Sequence, residues 1–350
     1  MKQISTGEKV SSAFGKIGDS KSLSVSFSLD ATAAQLVALD QGTPDAMKAV
    51  DAKNVAGLGA TLTMSADKPL SQVFKAEQAQ GASAQPDPSL EFDLEIHAGG
   101  GKSLFEMRQV AGLDYLRVDL ANLEALSDDP STDQSLSGLQ SEMGEMPPAY
   151  APFKDLVEDK WVSFDPKQMA QLSKSLQGAG GSSALPTPLP SFDASTGNQL
   201  FSAVRSVFEQ DVTLTDKGSS NGQDHVVLQA PELKLVTGLQ QAIEPIAKQI
   251  PEVGSSFPTA APTGIPAGKD VDADLYIGSD GALSKVTFDF WQLNPKGKPG
   301  EHLPLSLDFN DQAPAPVAPA GAVAFPVNLL QNLVTAMASA GGTSAGSLGS

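Results

Sequence analysis

The chain has 350 residues, of which 23 are basic and 41 acidic, giving a formal charge of −18 and a pI near 4.4. That field repels polyphosphate, and no Lys/Arg cluster interrupts it, so nucleic acid is excluded as a partner class. A hydrophobic share of 40% supports a real core and excludes global disorder. Cysteine is absent, which removes disulfides, thiol nucleophiles and the commonest structural zinc sites.

In chain order, Met1–Lys9 is polar and has no apolar h-region, so no signal peptide is read there. Either the protein starts in the cytoplasm, or this is a mature exported chain whose signal has been replaced by a start Met; the Ser, Thr, Ala, Gly, Pro and Gln content favours export. Gly7–Ile17 reads as a short amphipathic helix with Val10, Phe14 and Ile17 on one stripe. Period-two alternation then dominates. Leu23, Val25, Phe27 and Leu29 alternate with serines, and a shorter copy runs through Ala60, Leu62 and Met64. Phe92, Leu94 and Ile96 follow, and Gly99-Gly100-Gly101 turns the chain into Lys102–Val110. Asp114–Leu120 sets Tyr115 on one face with Leu116, Val118 and Leu120 on the other, and Trp161–Phe164 is a short strand.

Asp165-Pro166 opens a helix through Met169, Leu172 and Leu176. Further helices are expected from Ser195 or Thr196 through Phe208 and over Leu233–Ile250, the latter kinked at Pro245. Val212 and Leu214 lead through a polar loop, Lys217–Gln223, to His225–Leu228. Ala273–Ile277 and Leu283–Trp291 flank a Ser-Asp-Gly turn. Leu303, Leu305, Leu307 and Phe309 form a last strand, and Pro304 predicts an edge or bulge at its start. No apolar stretch approaches the roughly 18 residues of a membrane span. Ala338–Ser350 is Gly/Ser/Ala-rich.

These elements predict an α+β fold: a curved antiparallel sheet, a half-barrel of about nine strands, wrapped over a few mid-chain helices. One domain is expected over residues 7–330, between a tether (1–6) and a C-terminal tail (331–350). Inserts are expected near 31–57, 127–150 and 251–269, and the first two read as dispensable to the core.

The order of KSLSVSFSLDAT (Lys21–Thr32), DYLRVDL (Asp114–Leu120), KWVSFDP (Lys160–Pro166), a helical middle, ADLYIGSDGALSKVTFDF (Ala273–Phe290) and LSLDFND (Leu305–Asp311) resembles the actinobacterial LppX/LprG lipoproteins, similar in fold to the carriers LolA and LolB. The resemblance spans roughly residues 7–330; the inserts depart from it. It implies a lipidated cysteine preceding Met1, anchorage outside the cytoplasmic membrane, and a lipid or lipophile as ligand.

An apolar gap between sheet and helices suits acyl chains and needs no catalytic residue. The expected lining is Val25, Phe27, Leu62, Met64, Phe92, Leu94, Leu116, Val118, Ile277, Phe288, Phe290, Leu305 and Leu307. No cofactor, metal site or enzymatic activity is expected. His97, His225 and His302 have no ligand-like spacing. Asp270, Asp272 and Asp274 begin like a calcium loop, but Leu275 stands where Gly is needed and Gly281 where Glu is needed. Gly101-Lys102-Ser103 ends like a phosphate loop yet precedes a strand, and the two G-x-S-x-G matches, at 218–222 and 342–346, lack the strand–turn–helix setting of a nucleophile. A competing reading is an envelope interaction module that regulates a membrane sensor or cell-wall machine through the acidic 127–150 stretch.

Overall fold

A computed structural model of the chain describes residues 5–39, 48–80, 87–99, 101–126, 138, 141, 147–148, 151–168, 212–220, 222–234, 237, 270–293 and 302–326. The chain divides into two compact units, Met1–Lys102 with Phe192–Ala315, and Ser103–Ser191 with Pro316–Ser350. Among the described residues twelve strands and a few helices make the fold α+β, with the sheet mostly antiparallel and exceeding the nine strands expected.

In the first unit, α1 (Thr6–Asp19) starts at a capping box. The Ser5 hydroxyl accepts from Glu8 N at 3.2 Å, and the Glu8 carboxylate accepts from Ser5 N at 2.9 Å. Val10, Ala13 and Ile17, spaced three and four apart, are its buried stripe. The strands are β1 (Ser22–Leu29), β2 (Gly59–Ser65), β3 (Glu91–Ala98), β7 (Thr213–Ser220), β8 (Gln223–Pro231), β9 (Asp270–Ile277), β10 (Leu283–Asp289) and β11 (Pro304–Asn310). Their order is β3-β2-β1-β11-β10-β9-β8-β7. The two ends of the sequence complete one another, since β1 pairs with β2 on one side and with β11 on the other.

Pro304 corrects the edge expectation. It opens a strand flanked on both sides, but at the first position, where no ladder donor is needed, and its carbonyl accepts from Asp30 N at 2.9 Å. Most of the polar loop 217–223 is strand instead. Ser220 pairs with Gln223, leaving a two-residue turn that holds Gly222 at φ +79°.

Of the expected helices, that over 195–208 lies outside the described residues. That opened by Asp165-Pro166 is described as helix over 166–168, where Asp165 accepts from Lys167 N at 2.9 Å, and that over Leu233–Ile250 is described as helix at 233–234 and 237. The remainder of both lies outside the described residues. The described helical cover is different. It comes from α1 and from α4 (Leu70–Gln80), a helix the alternation did not reveal. The stretch 31–57, read as dispensable, carries α2 (Ala33–Leu39) and α3 (Ala49–Val55), whose Leu36 and Ala52 pack with Trp291 and Leu303 into a small second core.

In the second unit, β4 (Lys102–Val110, from Ser103 on) pairs with β5 (Leu113–Val118) through a tight turn at Ala111 and Gly112, both at positive φ. β5 pairs with β6 (Val162–Phe164), and β6 pairs in parallel with β12 (Val323–Ala324). The short helices are α5 (Leu120–Glu124) and α6 (Ala151–Val157). β5 ends earlier than expected because Asp119 turns to cap α5, accepting from Asn122 N at 2.8 Å.

Candidate functional site

Register gathers the alternating apolar residues of the first unit onto one face. Met64 stands opposite Leu23 and Phe92; Leu62 opposite Val25 and Leu94; Ala60 opposite Phe27 and Ile96. On the other flank of β1, Leu29 meets Leu305, Phe27 meets Leu307 and Val25 meets Phe309. The row continues through Leu305–Phe288–Ala273–Leu228 and Leu307–Val286–Leu275–Val226, and Leu283 opposes Ile277. A strand alternates its side chains between faces, so this register leaves the serines, threonines and acids on the other side. There the hydroxyls form a ladder, Ser26 to Thr61 at 3.1 Å and Thr63 to Ser24 at 3.0 Å, while buried Ser306 donates to Asp30 at 2.8 Å.

The apolar face is covered unevenly. Over β8, β9 and the start of β10 it is dry: Val226 is 0% exposed, Val271 1%, Leu275, Ile277 and Leu283 2% each. These residues pack with Val10, Ala13 and Ile17 of α1 and with Leu70 and Val73 of α4. Val25, Met64, Val286, Phe288 and Phe309 border this core. At the far end of β1, Leu29 joins the second core with Leu36, Ala52, Trp291 and Leu303. Between the two lies a patch that belongs, among the described residues, to neither: Phe27, Leu62, Phe92, Leu94, Leu305 and Leu307. Phe27 is 38% exposed and the others half-buried.

Of the expected lining, the structure therefore brings Val25, Phe27, Leu62, Met64, Phe92, Leu94, Ile277, Phe288, Leu305 and Leu307 to one face. Ile277 lies in the dry core, and Val25, Met64 and Phe288 stand on its border. The backbone of Phe290 opens a short 3-10 turn, Phe290–Leu293, and its side chain lies outside the description. Leu116 and Val118 belong to the second unit, on the face that also carries Phe105, Met107, Val162 and Phe164. Near that face Phe164 stacks on Phe325 at 5.0 Å, and Phe153 meets Phe325 edge-on at 4.7 Å.

One polar pair interrupts the second face. Asp114 and Gln109 stand directly opposite each other beside the β4–β5 turn, and Gln109 Nε2 donates to Asp114 Oδ1 at 3.0 Å. Burial pushes the Asp114 carboxyl above the usual aspartate range, and the Gln109 bond only partly offsets this. No alternation of apolar residues could reveal the pair, because it exists only once the hairpin register is set. The opposite face of the unit holds Glu106, 2% exposed, to which Arg108 and Arg117 each donate from Nε at 2.8 Å. Both guanidinium groups lie about 5 Å from the Trp161 ring centre, at 4.9 and 5.0 Å. This cluster reads as structural, a buried carboxylate compensated on both sides.

Two histidines are paired with aspartates. His225 Nε2 lies 2.6 Å from Asp274 and its ring stacks on Tyr276; His302 Nδ1 lies 2.6 Å from Asp289. Partial burial pushes the Asp289 carboxyl up, but the N–H groups of Leu303 and Trp291 together with His302 outweigh it and hold the group below its ordinary range. Asp270 and Asp272 are exposed on the polar side of β9, as a solvated strand start requires. Among the described residues no group of three or more His, Asp or Glu side chains could hold a metal ion, and no helix is long and apolar enough to cross a membrane.

No protein-family model matches this chain, and neither the curated proteins nor the solved structures compared with it gave a match.

Proposed function

We propose that the protein binds or carries a lipid or other lipophilic molecule against the apolar face of its sheet, without catalysis. The observation that carries this reading is the patch Phe27, Leu62, Phe92, Leu94, Leu305 and Leu307, aligned by register yet taken up by neither core. Contiguous apolar surface left in contact with water on a folded chain is a feature of ligand-binding grooves and interaction surfaces. The stretch of face is formed by Leu, Val, Phe, Met, Ala and Ile side chains, so its attraction is for hydrocarbon. Each acyl methylene moved out of water contributes about 0.8 kcal/mol, so a run of about ten supplies on the order of 8 kcal/mol before ordering costs.

On this reading the strands curve as a half-barrel around the ligand, and the motif order shared with the LppX/LprG lipoproteins reflects kinship. The protein is then an extracytoplasmic lipoprotein of the cell envelope, tethered to the outer face of the membrane by an N-terminal lipid anchor ahead of residues 1–6, where it meets envelope protein partners. The alternation of β1, β2, β3 and β11, and the hairpin of β9 and β10, support that proposal.

Titrating delipidated protein with a fluorescent fatty-acyl probe tests the binding role. Saturable uptake is expected, with adducts of matching stoichiometry in native mass spectra. Phe27→Asp combined with Leu305→Asp should weaken uptake by more than about tenfold while the circular dichroism of the sheet persists. A wild-type chain that takes up no probe removes the proposal.

A further inference from the structure

We infer that Trp291 is the polar reading point of the lipophile site: its buried indole N–H donates to an oxygen acceptor, an ester, ketone or ether, carried within the apolar ligand. The inference rests on the lipophile reading and adds one chemical feature of the ligand. Trp291 is 7% exposed, and its Nε1 is buried and meets no hydrogen-bond acceptor among the described residues. Such donors are rare in folded chains, because a polar group that loses water without gaining a partner is costly. Its neighbours are the aliphatic side chains of the second core, among them Leu36, Ala52, Leu303 and Leu29. Asp289, two residues earlier, is already spent. Its Oδ1 accepts from the backbone N–H groups of Trp291 at 3.0 Å and of Leu303 at 2.8 Å, and its Oδ2 lies 2.6 Å from His302. These bonds hold the backbone that carries the indole and leave the indole N–H itself without a partner.

The indole lies where the wet patch ends. Leu29 packs into the Trp291 core and stands opposite Leu305, and two residues back Phe27 stands opposite Leu307. All of these belong to the first compact unit. A hydrocarbon chain lying along Phe27, Leu307 and Leu305 therefore brings its next segment to the second core. An indole N–H can donate but not accept, so whatever satisfies it is an acceptor. A plain alkane leaves it orphaned, and a carbonyl or ether oxygen does not. The cover over the ring is weakly held. The helices α2 and α3 have seven residues each, too few to be stable by themselves, and among the described residues each gives one buried side chain to this core, Leu36 and Ala52. A ligand that displaces Leu36 exchanges one aliphatic contact for another and supplies the N–H with its partner.

The test uses the full chain with its two tryptophans labelled with nitrogen-15, and Trp161→Phe identifies which indole N–H signal belongs to Trp291. Methyl dodecanoate and tridecane, alike in length, are compared as competitors that displace a fluorescent fatty-acyl probe. The ester should move the Trp291 indole proton downfield, as a new hydrogen bond does, and tridecane should not. Trp291→Phe keeps an aromatic ring without the donor. In that variant the ester should lose about tenfold in affinity, the size of one hydrogen bond to a buried donor, while tridecane stays within about twofold of its wild-type value. Should the variant fail to fold, the wild-type signal decides by itself. Displacement by both compounds overturns the subsite and leaves the lipophile reading standing if the ester moves the Trp291 signal no further than tridecane does, or loses no more than tridecane in Trp291→Phe. Failure of both compounds and of the probe to bind overturns both.

Discussion

Two stretches of one apolar face, made of the same residue types in the same register, end in different states. Over β8, β9 and the start of β10 the side chains of Val226, Leu228, Leu275, Ile277 and Leu283 are almost entirely dry beneath α1 and α4. Along β1, β2, β3 and β11, Phe27, Leu62, Leu94, Leu305 and Leu307 keep part of their surface in water. The strands themselves do not account for the contrast, since alternation and hydrogen bonding are alike on both. It lies in what covers them. A covered apolar face is a core, and the same face left partly uncovered can exchange water for a ligand.

Leucine-to-alanine changes on the two stretches break or confirm that contrast most sharply. Leu283→Ala removes a side chain 2% exposed and packed against the helical cover, and should cost about 2–5 kcal/mol in denaturant unfolding. Leu94→Ala, the same chemical change on the half-buried stretch, should cost under about 1.5 kcal/mol and show its effect in weaker acyl-probe binding instead. Equal losses of stability would mean that both stretches are ordinary core.

The next largest effect concerns affinity rather than folding. Phe27→Asp places a charge where apolar surface is 38% exposed. Solvent is within reach of the new carboxylate, so the midpoint of urea unfolding should move little, whereas probe affinity should fall about tenfold or more. A large loss of stability with unchanged affinity would put Phe27 among the packed residues.

The membership of the face was legible because period two is a property of the strand itself: Val25, Phe27, Leu62, Met64, Leu94, Leu305 and Leu307 could be assigned from their neighbours alone. The cover was not. Leu70, Val73 and Phe74 of α4 form a short apolar stripe that stands out only once β1 and α1 are in place, and Leu36 and Ala52 show no purpose until Trp291 and Leu303 come to meet them. Pro304 misled for a related reason. Its missing donor restricts the position within a strand, and the first position of a strand between two neighbours satisfies it as well as an edge does. Asp114 and Gln109 are five residues apart across a tight turn, so a single-residue change in register would have separated them.

A smaller effect separates the cover from what it covers. Ser5→Ala removes the side chain that receives Glu8 N at the start of α1 and should lower stability by about 1 kcal/mol. Because α1 packs over the dry stretch, acyl-probe affinity should stay within about twofold of wild type. A rise in probe binding would show instead that loosening α1 opens the core to ligand, and that the division between the two stretches is set by the helix rather than by the sheet.

The smallest expected effect tests the same contrast at one residue of the second unit, where a carboxyl stands on an apolar face. Burial raises the Asp114 pKa above the ordinary 3.8, so the folded chain holds this proton more tightly than the unfolded one does. Below the unfolded value both states are protonated and the group carries no penalty; as pH climbs through the interval up to the folded value, stability is lost, and it stays lost at neutral pH. Asp114→Asn has no proton to lose there. The variant should therefore melt about 0.5 °C above wild type at pH 7 and converge with it near pH 3, since a few tenths of a kcal/mol is all that a half-buried group next to water contributes. A variant that melts lower at pH 7 would show instead that the ionised carboxyl is well solvated where it stands and that burial costs it nothing.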